Sequence, residues 1–285
     1  MAISAGDIKG LHRYEIQILH IIERSMQRYK WVPLDHIVKA VGLSDSEVTF
    51  RIGKLMEKGL IRFEALPYEG YALVFTGYDA LALLALVKKG TIRALGCQIG
   101  EGKESVVYEA LGLGNVALKF HHVGQRSFQT ARQKRDYMPG EGHYPWIYAS
   151  RSSAEREYEA LRRLHPVVRV PLPIDCNRHV VVMEEIIGTT MNRCVLEDPD
   201  AILNTLLSQI RESYRQGIIH VDLSEFNVMI SGEECILIDW PQWVGTDHQN
   251  ALDLLKRDIR NILTYFHRKY SLEYPLEETT GWVTG

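Results

Sequence analysis

The sequence predicts an α+β protein in two parts, and three observations support this expectation. Residues 1–90 carry short helical patterns that end at glycines, with one pair of short strands among them. From Thr91 the pattern changes to apolar strands around a glycine-rich stretch, IGEGKES. Farther along, helical patterns alternate with polar turns and a hairpin. We therefore expect a small N-terminal domain, 1–90, followed by a larger domain, 91–285.

The composition is that of an ordinary globular protein, with 46% hydrophobic and 24% charged residues. A net charge of -3 gives no global attraction to nucleic acid, so such binding would need a local basic patch. The four cysteines lack a C-x-x-C pair and predict neither a zinc site nor a disulfide framework. No apolar run approaches the roughly 20 residues that cross a bilayer, so we expect a cytoplasmic protein without membrane contact.

The N-terminal part predicts a helix at Leu34–Val41 that stops at Gly42. Ser44, with Glu47 three residues later, predicts a capping box for a second helix. The predicted inner face of that second helix is Val48, Ile52, Leu55 and Met56. After Gly59, LIRFEALPYEGYALVFT reads as two strands joined by a turn. Helix, turn, helix and hairpin together predict a winged helix-turn-helix domain, and the alternative is a helical domain with an unrelated hairpin.

The second helix of this domain has mixed charge on its exposed positions. Its charged residues are Arg51, Lys54, Lys58, Asp45, Glu47 and Glu57. A strongly basic face, as expected of a nucleic-acid reader, is therefore missing. A protein-docking surface and a nucleic-acid contact both remain open.

Three strands follow, TIRALGCQIG, SVVYEAL and NVALKF, and then a segment without clear periodicity. Between Phe120 and Arg135 this segment contains only basic charges, at Arg126, Arg132, Lys134 and Arg135. We expect a long basic loop at 121–137, and loops of such length are usually functional. The loop is a candidate for nucleic-acid contact; the alternative is a solvated connection.

The remaining elements follow from capping and turn signals. Ser152 and Glu155 predict a capping box at the start of a helix, and HVVVMEEI predicts a strand. Asp198 is the predicted cap of a helix that stops at Gly217. A hairpin, NVMISGEECILID, comes next, and the last predicted element is a helix at Leu252–Tyr270.

A lysine ends the apolar strand that contains VALK, where an ammonium without a partner is expensive to bury. Lys119 either reaches solvent or meets a negative group. Gly100 and Gly102 carry no side chains and let backbone amides approach a phosphate, although such turns are also ordinary hairpins. Glu157 lies in helical register with apolar residues, so we expect it to face inward and pair with Lys119; the alternative is an exposed helix residue.

Three polar residues converge in the segments HVDLSEFNVMI and LIDWP. Asp222 and Asn227 stand in a loop that opens the predicted hairpin, and Asp239 ends its second strand. The hairpin brings two carboxylates and an amide to one end of the sheet. Hard oxygen ligands of this kind suit magnesium that bridges nucleotide phosphates.

These residues resemble the signature set of protein kinases. The closest similarity is to the RIO family of atypical kinases, in its second subfamily, which has an N-terminal winged helix. The resemblance covers nearly the whole chain: GEGKES resembles the phosphate loop, HVDLSEFN the catalytic loop, IDWPQ the metal-binding strand end and RDIRNILTYF the final helix.

The resemblance implies a bilobal kinase-like domain, with an N-lobe at about 91–183, a hinge at 183–188 and a C-lobe at 189–285. It implies that Asp222 is the catalytic aspartate, that Lys119 contacts the nucleotide phosphates and that Asn227 and Asp239 hold the metal. The implied cofactors are ATP and Mg²⁺, or Mn²⁺ in its place. The implied nucleotide-binding residues are Gly100, Glu101, Gly102, Lys103, Glu104, Ser105, Val106, Lys119, Glu157, Met183, Glu184, Ile186, Asn227 and Asp239.

Departures from ordinary protein kinases restrict this expectation. Ser105 stands in place of a third glycine, Val221 replaces the arginine before Asp222, and Trp240-Pro241 follow the metal aspartate. Neither an A-P-E segment nor a peptide-docking helical subdomain is expected after Asp239. We therefore expect ATP hydrolysis or autophosphorylation more readily than phosphorylation of a free substrate.

The resemblance implies an atypical serine/threonine kinase and ATPase that acts in maturation of the small ribosomal subunit. Precursor ribosomal RNA and proteins are the implied partners, and a transient phospho-aspartate at Asp239 is implied as well. One alternative is a nucleotide-gated ribosome-binding switch whose ATP hydrolysis times release. Another is a small-molecule phosphotransferase of the aminoglycoside-kinase kind, which shares the pattern of His220, Asp222 and Asn227.

Overall fold

The computed structural model describes residues 5–124 and 146–285. Residues 125–137 of the predicted basic loop lie outside the described residues, and the loop stays a prediction. The chain forms two compact units. The first comprises Met1–Gly114, Lys119–Arg151 and Asn177–Val180, and the second comprises Asn115–Leu118, Ser152–Cys176 and Val181–Gly285. The predicted boundary at residue 90, and the lobe and hinge boundaries, stay predictions.

The N-terminal region has the predicted winged helix order. Its elements are α1 (Ala5–Lys9), α2 (Arg13–Ser25), α3 (Leu34–Val41), α4 (Asp45–Glu57), β1 (Ile61–Glu64), β2 (Gly70–Leu73) and α5 (Phe75–Lys89). Helix α3 ends where a left-handed residue is required, because Gly42 has φ 70°. Strands β1 and β2 pair antiparallel and form the wing. The predicted helices and hairpin are confirmed.

Helix α4 differs from its prediction in two details. The Ser44 hydroxyl accepts a hydrogen bond from the Glu47 amide, but the Glu47 carboxylate binds Arg51 instead, so half of the capping box forms. Val48, Ile52 and Leu55 are buried as predicted, whereas Met56 is 42% exposed. The prediction for Met56 is wrong because it lies about 100° around the helix from Leu55.

The first unit continues with the predicted strands β3 (Ala94–Glu101) and β4 (Ser105–Leu111), which pair antiparallel with two register shifts. Strand β5 (Asn115–His121) follows, and its last three residues belong to this unit. Helix α5, which precedes β3, is buried over most of its surface, including Asp79. Its burial explains why a helix at the end of the winged helix region is so apolar.

The second unit contains most of the remaining elements. They are α6 (Trp146–Leu164), β6 (Pro173–Asn177), β7 (Val180–Glu184), β8 (Thr189–Thr190), a 3-10 helix (Met191–Arg193), α7 (Pro199–Arg215), β9 (Ile218–Ile219), β10 (Val228–Ser231), β11 (Glu234–Leu237), β12 (Val244–Gly245), α8 (Ala251–Tyr270) and α9 (Leu276–Thr284). Strand β10 lies between β11 and β8, and β9 pairs with β12. The predicted strand at β7, helix α7, hairpin and helix α8 are confirmed.

Two expectations for these elements need correction. Helix α6 begins at Trp146, so Ser152 and Glu155 lie inside the helix and do not form an N-terminal capping box. The serine-x-x-glutamate pattern also occurs inside helices, and residues 146–151 contain neither proline nor glycine, so the helix extends upstream of Ser152. The sequence does not predict helix α9, because it contains threonines and Gly281, which have low helix propensity. This helix forms by burying Thr279, Thr280 and Val283.

None of the four cysteines, which all lie among the described residues, forms a disulfide bond. Cys97 is exposed and Cys235 is buried; burial raises the pKa of the Cys235 thiol to about 11. In the described ranges, the structure holds no helix that is long and apolar enough to cross a membrane.

Candidate active site

The glycine-rich turn joins β3 to β4 in the first unit. Gly100 pairs with Val107 and Glu101 with Val106 at the end of the ladder, and the Gly102 amide donates to the Ser105 carbonyl oxygen at 2.8 Å. The residues from Glu101 to Glu104 are exposed. The turn is therefore a closed hairpin whose tip faces outward, with Lys103 at its exposed end.

The fold itself does not require a glycine at position 100. A Cβ atom added there would lie 3.5 Å from the Val107 Cβ, an ordinary van der Waals distance, and the backbone is not left-handed. By contrast, a Cβ at Gly96 would overlap the Glu109 side chain. Packing therefore explains Gly96 but not Gly100, and contact between Gly100 and a nucleotide stays a prediction.

Lys119 and Glu157 are both buried, with exposed fractions of 7% and 1%. The alternative in which Lys119 reaches solvent is therefore wrong, as is the alternative that Glu157 is an exposed helix residue. Each charged group needs a partner at such burial. Lys119 belongs to the first unit and Glu157 to the second, and their mutual pairing stays a prediction.

Within the second unit, the loop after β9 brings Asp222 and Asn227 together. The Asn227 Nδ2 group donates to the Asp222 carbonyl oxygen at 2.8 Å, and the Asn227 amide donates to the Ser224 carbonyl oxygen at 3.0 Å. These bonds close the loop on itself. The side chain of Asp222 is exposed, so its carboxylate is accessible to a reactant.

Asp239 is tied to the same loop through its neighbour. The Ile238 amide donates to the Asn227 carbonyl oxygen at 3.0 Å, and the His220 Nε2 group bonds the Ile238 carbonyl oxygen at 3.0 Å. Asp239 itself has φ 68°, in the left-handed region, which turns the chain sharply after β11. The structure therefore brings Asp222, Asn227 and Asp239 to one end of the β10–β11 hairpin, as predicted.

His220 bridges the two segments of the site, a role that its sequence pattern does not show. Its Nδ1 atom accepts from the Asp222 amide at 3.4 Å, and its ring lies 4.3 Å from that of Trp240, centroid to centroid. With Nε2 donating and Nδ1 accepting, both ring nitrogens of the neutral imidazole are used. His220 thus links the loop before Asp222 to the strand end before Asp239.

Asp258, on α8, bonds the backbone of the loop that contains Asp222. It is not among the predicted site residues. Its carboxylate accepts from the Val221 amide at 2.7 Å and from the Leu223 amide at 3.1 Å. Burial raises the pKa of Asp258, and the hydrogen bonds from the two backbone amides oppose that shift. A sequence signal does exist, since Asp258 falls on the apolar stripe of α8 with Leu255 and Ile262.

Two more residues of α8 contact the same loop. The Arg257 guanidinium donates to the Val221 carbonyl oxygen, and the Asn261 Nδ2 group donates to the Leu223 carbonyl oxygen at 3.1 Å. Val221 has φ 75°, which is unusual for a β-branched residue. The loop before Asp222 is therefore held in a strained conformation by polar groups from one helix.

Glu157 reaches the strand end that carries Asp239. Its Oε1 atom accepts from the Trp240 amide at 3.3 Å, and the Trp240 indole donates to the Leu237 carbonyl oxygen. Trp240, which follows Asp239, is fully buried. Glu157 thus fixes the backbone directly after Asp239 from within the second unit.

The predicted hinge residues lie at the end of β7. Met183 is buried. The Glu184 amide donates to the Leu172 carbonyl oxygen at 2.9 Å, and its carboxylate forms two hydrogen bonds with Arg169. Those bonds lower the pKa of Glu184. The Glu184 amide is thus already occupied, and adenine contact at Met183, Glu184 and Ile186 stays a prediction.

The donor set of Asn227 and Asp239 fits a magnesium ion. Asn227 uses its Nδ2 group to donate to the Asp222 carbonyl oxygen. The atom of the Asn227 amide that would bind a metal ion is therefore Oδ1. An amide oxygen and a carboxylate are the hard ligands that Mg²⁺ prefers. The metal roles of Asn227 and Asp239 stay predictions.

Comparison with known proteins identifies the family of both regions of the chain. A model described as the RIO domain matches residues 106–279, and a model described as Rio2, N-terminal, matches residues 8–89. Together they account for most of the chain, and Lys119, Asp222, Asn227 and Asp239 all fall inside the first match.

Similar proteins include the RIO-type serine/threonine-protein kinase Rio2 of Methanocaldococcus jannaschii. It is 39% identical over 257 residues, which cover 87% of this chain and 94% of that protein. The serine/threonine-protein kinase RIO2 of Caenorhabditis elegans is 36% identical over 263 residues, which cover 90% of this chain and 50% of that longer protein.

Among solved structures, the Rio2 kinase-ADP/Mg²⁺-phosphoaspartate complex from Chaetomium thermophilum matches with a TM-score of 0.85. The sequence identity is 29%, and the match covers 99% of this chain and 90% of that one.

Proposed function

This chain belongs to the RIO family of serine/threonine protein kinases, in its Rio2 branch, and from that premise we propose that Asp222, Asn227 and Asp239 form its ATP-dependent phosphoryl-transfer site. One observation carries the proposal. Backbone and side-chain hydrogen bonds within the second unit join Asp222 to Asn227 and Asn227 to the residue before Asp239. The family assignment favours a protein kinase over a small-molecule phosphotransferase of the aminoglycoside-kinase kind as the function of this site.

Each residue has a distinct task in this proposal. Asp222 accepts a hydrogen bond from the attacking hydroxyl or water and orients it, because its carboxylate is exposed while its backbone is fixed through His220 and Asp258. Asn227 and Asp239 supply oxygen ligands to Mg²⁺, or to Mn²⁺. The bound cation would offset negative charge on the phosphates. Positioning by a rigid loop is the main contribution of the protein.

We extend the proposal to a phosphorylated intermediate on Asp239. The similar Rio2 kinase from Chaetomium thermophilum has been solved as a complex with ADP, Mg²⁺ and phosphoaspartate. In this chain, a carboxylate oxygen of Asp239 would attack the γ-phosphorus of ATP, the bond to the bridging oxygen would break, and ADP would leave. Water would then hydrolyse the acyl phosphate to free phosphate. Such a cycle is the ATPase switch that the sequence leaves open.

The test follows three products of labelled ATP with the purified full chain. Free phosphate, acid-stable label and hydroxylamine-sensitive label are measured separately for the wild type, Asp222→Ala, Asp239→Ala and the control Asp253→Ala, which changes an exposed residue of α8. We expect both site variants to lose turnover and the control to keep it. Hydroxylamine-sensitive label that persists in Asp239→Ala would refute the acyl phosphate.

The proposed role is maturation of the small ribosomal subunit in the cytoplasm, with autophosphorylation as a side reaction. The winged helix is the proposed docking surface. On α4, Arg51 pairs with Glu47 and Glu15, and Lys54 pairs with Glu57. Lys58, directly after this helix, pairs with Glu15. Cations that are already neutralised bind phosphate weakly, which favours a protein contact on the particle over a nucleic-acid contact. Phe50, which is 53% exposed on the same helix, is the apolar residue proposed for that contact.

The docking proposal is tested by cosedimentation with precursor particles. Phe50→Ser is compared with Lys54→Ser, which removes a paired cation from the same helix. We expect Phe50→Ser to weaken binding at all salt concentrations and Lys54→Ser to leave it nearly unchanged. The reverse order, with strong salt dependence, would indicate contact with nucleic-acid phosphates instead.

A further inference from the structure

A buried polar cluster joins the N-terminal region to the strands of the kinase region within the first unit. Asp79 lies on α5, His122 follows β5, and His179 lies in the turn between β6 and β7. Their exposed fractions are 5%, 8% and 0%. The Asp79 Oδ1 atom lies 3.1 Å from His122 Nε2 and 2.7 Å from His179 Nε2, so one carboxylate oxygen accepts two hydrogen bonds.

The protonation of the cluster follows from its contacts. Burial raises the pKa of Asp79, but hydrogen bonds from His122 and His179 outweigh burial and leave it below its ordinary value. Burial lowers the pKa of His179 more than Asp79 raises it. The cluster therefore holds an ionised aspartate and a neutral His179 that donates through Nε2.

A metal centre is the alternative reading of two histidines and a carboxylate, and the ring nitrogens argue against it. Histidines that bind metal usually donate their second ring N–H to an acceptor. Among the described residues, the buried Nδ1 atoms of His122 and His179 have no hydrogen-bond partner. A neutral imidazole that donates through Nε2 leaves Nδ1 as a bare acceptor, which is less costly to bury than an unpaired N–H.

The cluster reaches the glycine-rich turn through the backbone of His122. The His122 amide donates to the Glu104 carbonyl oxygen at 2.7 Å, and the His121 amide donates to the His179 carbonyl oxygen at 2.9 Å. Glu104 is part of the exposed turn between β3 and β4. One residue of the cluster thus contacts Asp79 by its side chain and the turn by its main chain.

A second contact from the N-terminal region fixes the turn that carries His179. Glu23, on α2, forms two hydrogen bonds with Arg178, at 2.6 Å and 2.7 Å, and Arg178 also donates to the Leu81 carbonyl oxygen on α5. Arg178 has φ 55°, so these bonds hold a left-handed residue. Asp79 and Glu23 therefore approach the same turn from two helices.

From these contacts we infer that Asp79 is a positioning residue for the ATP site. It fixes His122, and the main chain of His122 holds the glycine-rich turn in place. The inference rests on the proposed function and on the sequence-based prediction that the glycine-rich turn contacts the phosphates of ATP. Lys119 stands three residues before His122, on β5. Loss of the Asp79 contacts would free His122, which directly follows this strand and whose amide bonds the Glu104 carbonyl oxygen.

The experiment compares Asp79→Ala and Asp79→Asn with the control Glu15→Gln. Glu15 is also a buried carboxylate, but it contacts Lys58 and Arg51 within the N-terminal region alone. We expect Asp79→Ala to raise KM for ATP by about tenfold with little change in kcat, because the turn contacts phosphates in the ground state. Asp79→Asn, which keeps an accepting oxygen and nearly the same volume, should show a smaller rise.

Amide hydrogen exchange at His122 provides a readout that needs no activity. We expect faster exchange in Asp79→Ala and unchanged exchange in Glu15→Gln. An unchanged KM in both Asp79 variants would overturn the inference, as would an equal rise in the control or a stoichiometric metal ion in the wild type. A wild type without ATP turnover would refute the proposed function instead, and the exchange rates would still decide whether Asp79 holds the strand.

Discussion

Asp258 illustrates how a single buried side chain can shape a reactive loop from a distance in sequence. It follows Asp222 by 36 positions, yet its two oxygens bond the amides on either side of Asp222. A carboxylate accepts two amide protons in a way that an apolar residue or a lysine cannot. The orientation of Asp222 is thus a property of α8 as much as of its own loop.

We expect Asp258→Asn to lower kcat by about tenfold to a hundredfold, because the amide can accept at only one atom and the loop shifts. The matched control is Asp253→Asn, on the exposed side of α8. Steady-state ATP hydrolysis and the melting temperature of both variants provide the check. A variant of Asp258 with full kcat would contradict the positioning role.

His179 predicts the pH dependence of stability. Its pKa is lowered in the folded protein, so between that value and the ordinary value of about 6.5 the unfolded chain binds more protons. The free energy of unfolding therefore falls as the pH falls below about 6.5. The lowered pKa of Asp79 acts in the same direction in more acidic solution.

Chemical denaturation at about pH 7.5 and about pH 5.5 measures this effect, since the lower value lies below the ordinary histidine pKa. We expect the wild type to lose stability at the lower pH and His179→Gln to lose less. His267→Gln changes an exposed histidine of α8 and should behave as the wild type does. Equal losses in all three proteins would exclude His179 as the cause.

At the scale of elements, a substitution in the glycine-rich turn distinguishes the effect of packing on stability from the effect of ligand contact on KM. We expect Gly100→Ala to leave the melting temperature nearly unchanged, because its Cβ has room, yet to raise KM for ATP by about threefold to tenfold through steric conflict with a phosphate. Gly114→Ala, in the next turn of the sheet, has open space around its Cβ and serves as the control. Unaltered KM in Gly100→Ala would remove the ligand as the reason for this glycine.

Local sequence signals predict an element correctly where a capping residue or a glycine marks its start or its end. Gly42 and Asp198 mark the ends of α3 and α7, and the glycine-rich turn separates two strands. The same signals fail where the burial of side chains, rather than a local sequence pattern, determines whether a helix forms or where it begins. Ser152 has the sequence context of a cap but lies inside α6, and α9 forms because its side chains are buried against the unit rather than because of propensity.

At the scale of the whole molecule, the N-terminal region and the first strands of the kinase region share one compact unit. A chain shortened to start at Thr91 would leave His122, His179 and Arg178 without their carboxylate partners Asp79 and Glu23. We therefore expect the shortened chain to show reduced solubility and at least about tenfold lower ATP turnover, since unpaired buried groups are costly. The measurement compares turnover and hydrogen exchange with those of the full chain.

The order of polar residues predicts much of the candidate site. Asp222, Asn227 and Asp239 can be found because a hairpin brings its two ends together whatever its surroundings. The stripe of α8 indicates that Asp258 faces inward, but the partners of Asp79 and Asp258 lie at least 35 positions away in the chain, and no local pattern indicates those contacts. Residues that form a motif can be found from their types and spacing, whereas residues that hold them in place act through tertiary packing.

The left-handed backbone of Val221 has a consequence for engineering this enzyme. A β-branched residue in that region costs roughly 1–3 kcal/mol, so Val221→Gly should relieve strain and increase heat resistance. The relaxed loop would then hold the Asp222 carboxylate less firmly in its orientation. Selection for thermostability alone would favour such a change and yield a sturdier but slower catalyst.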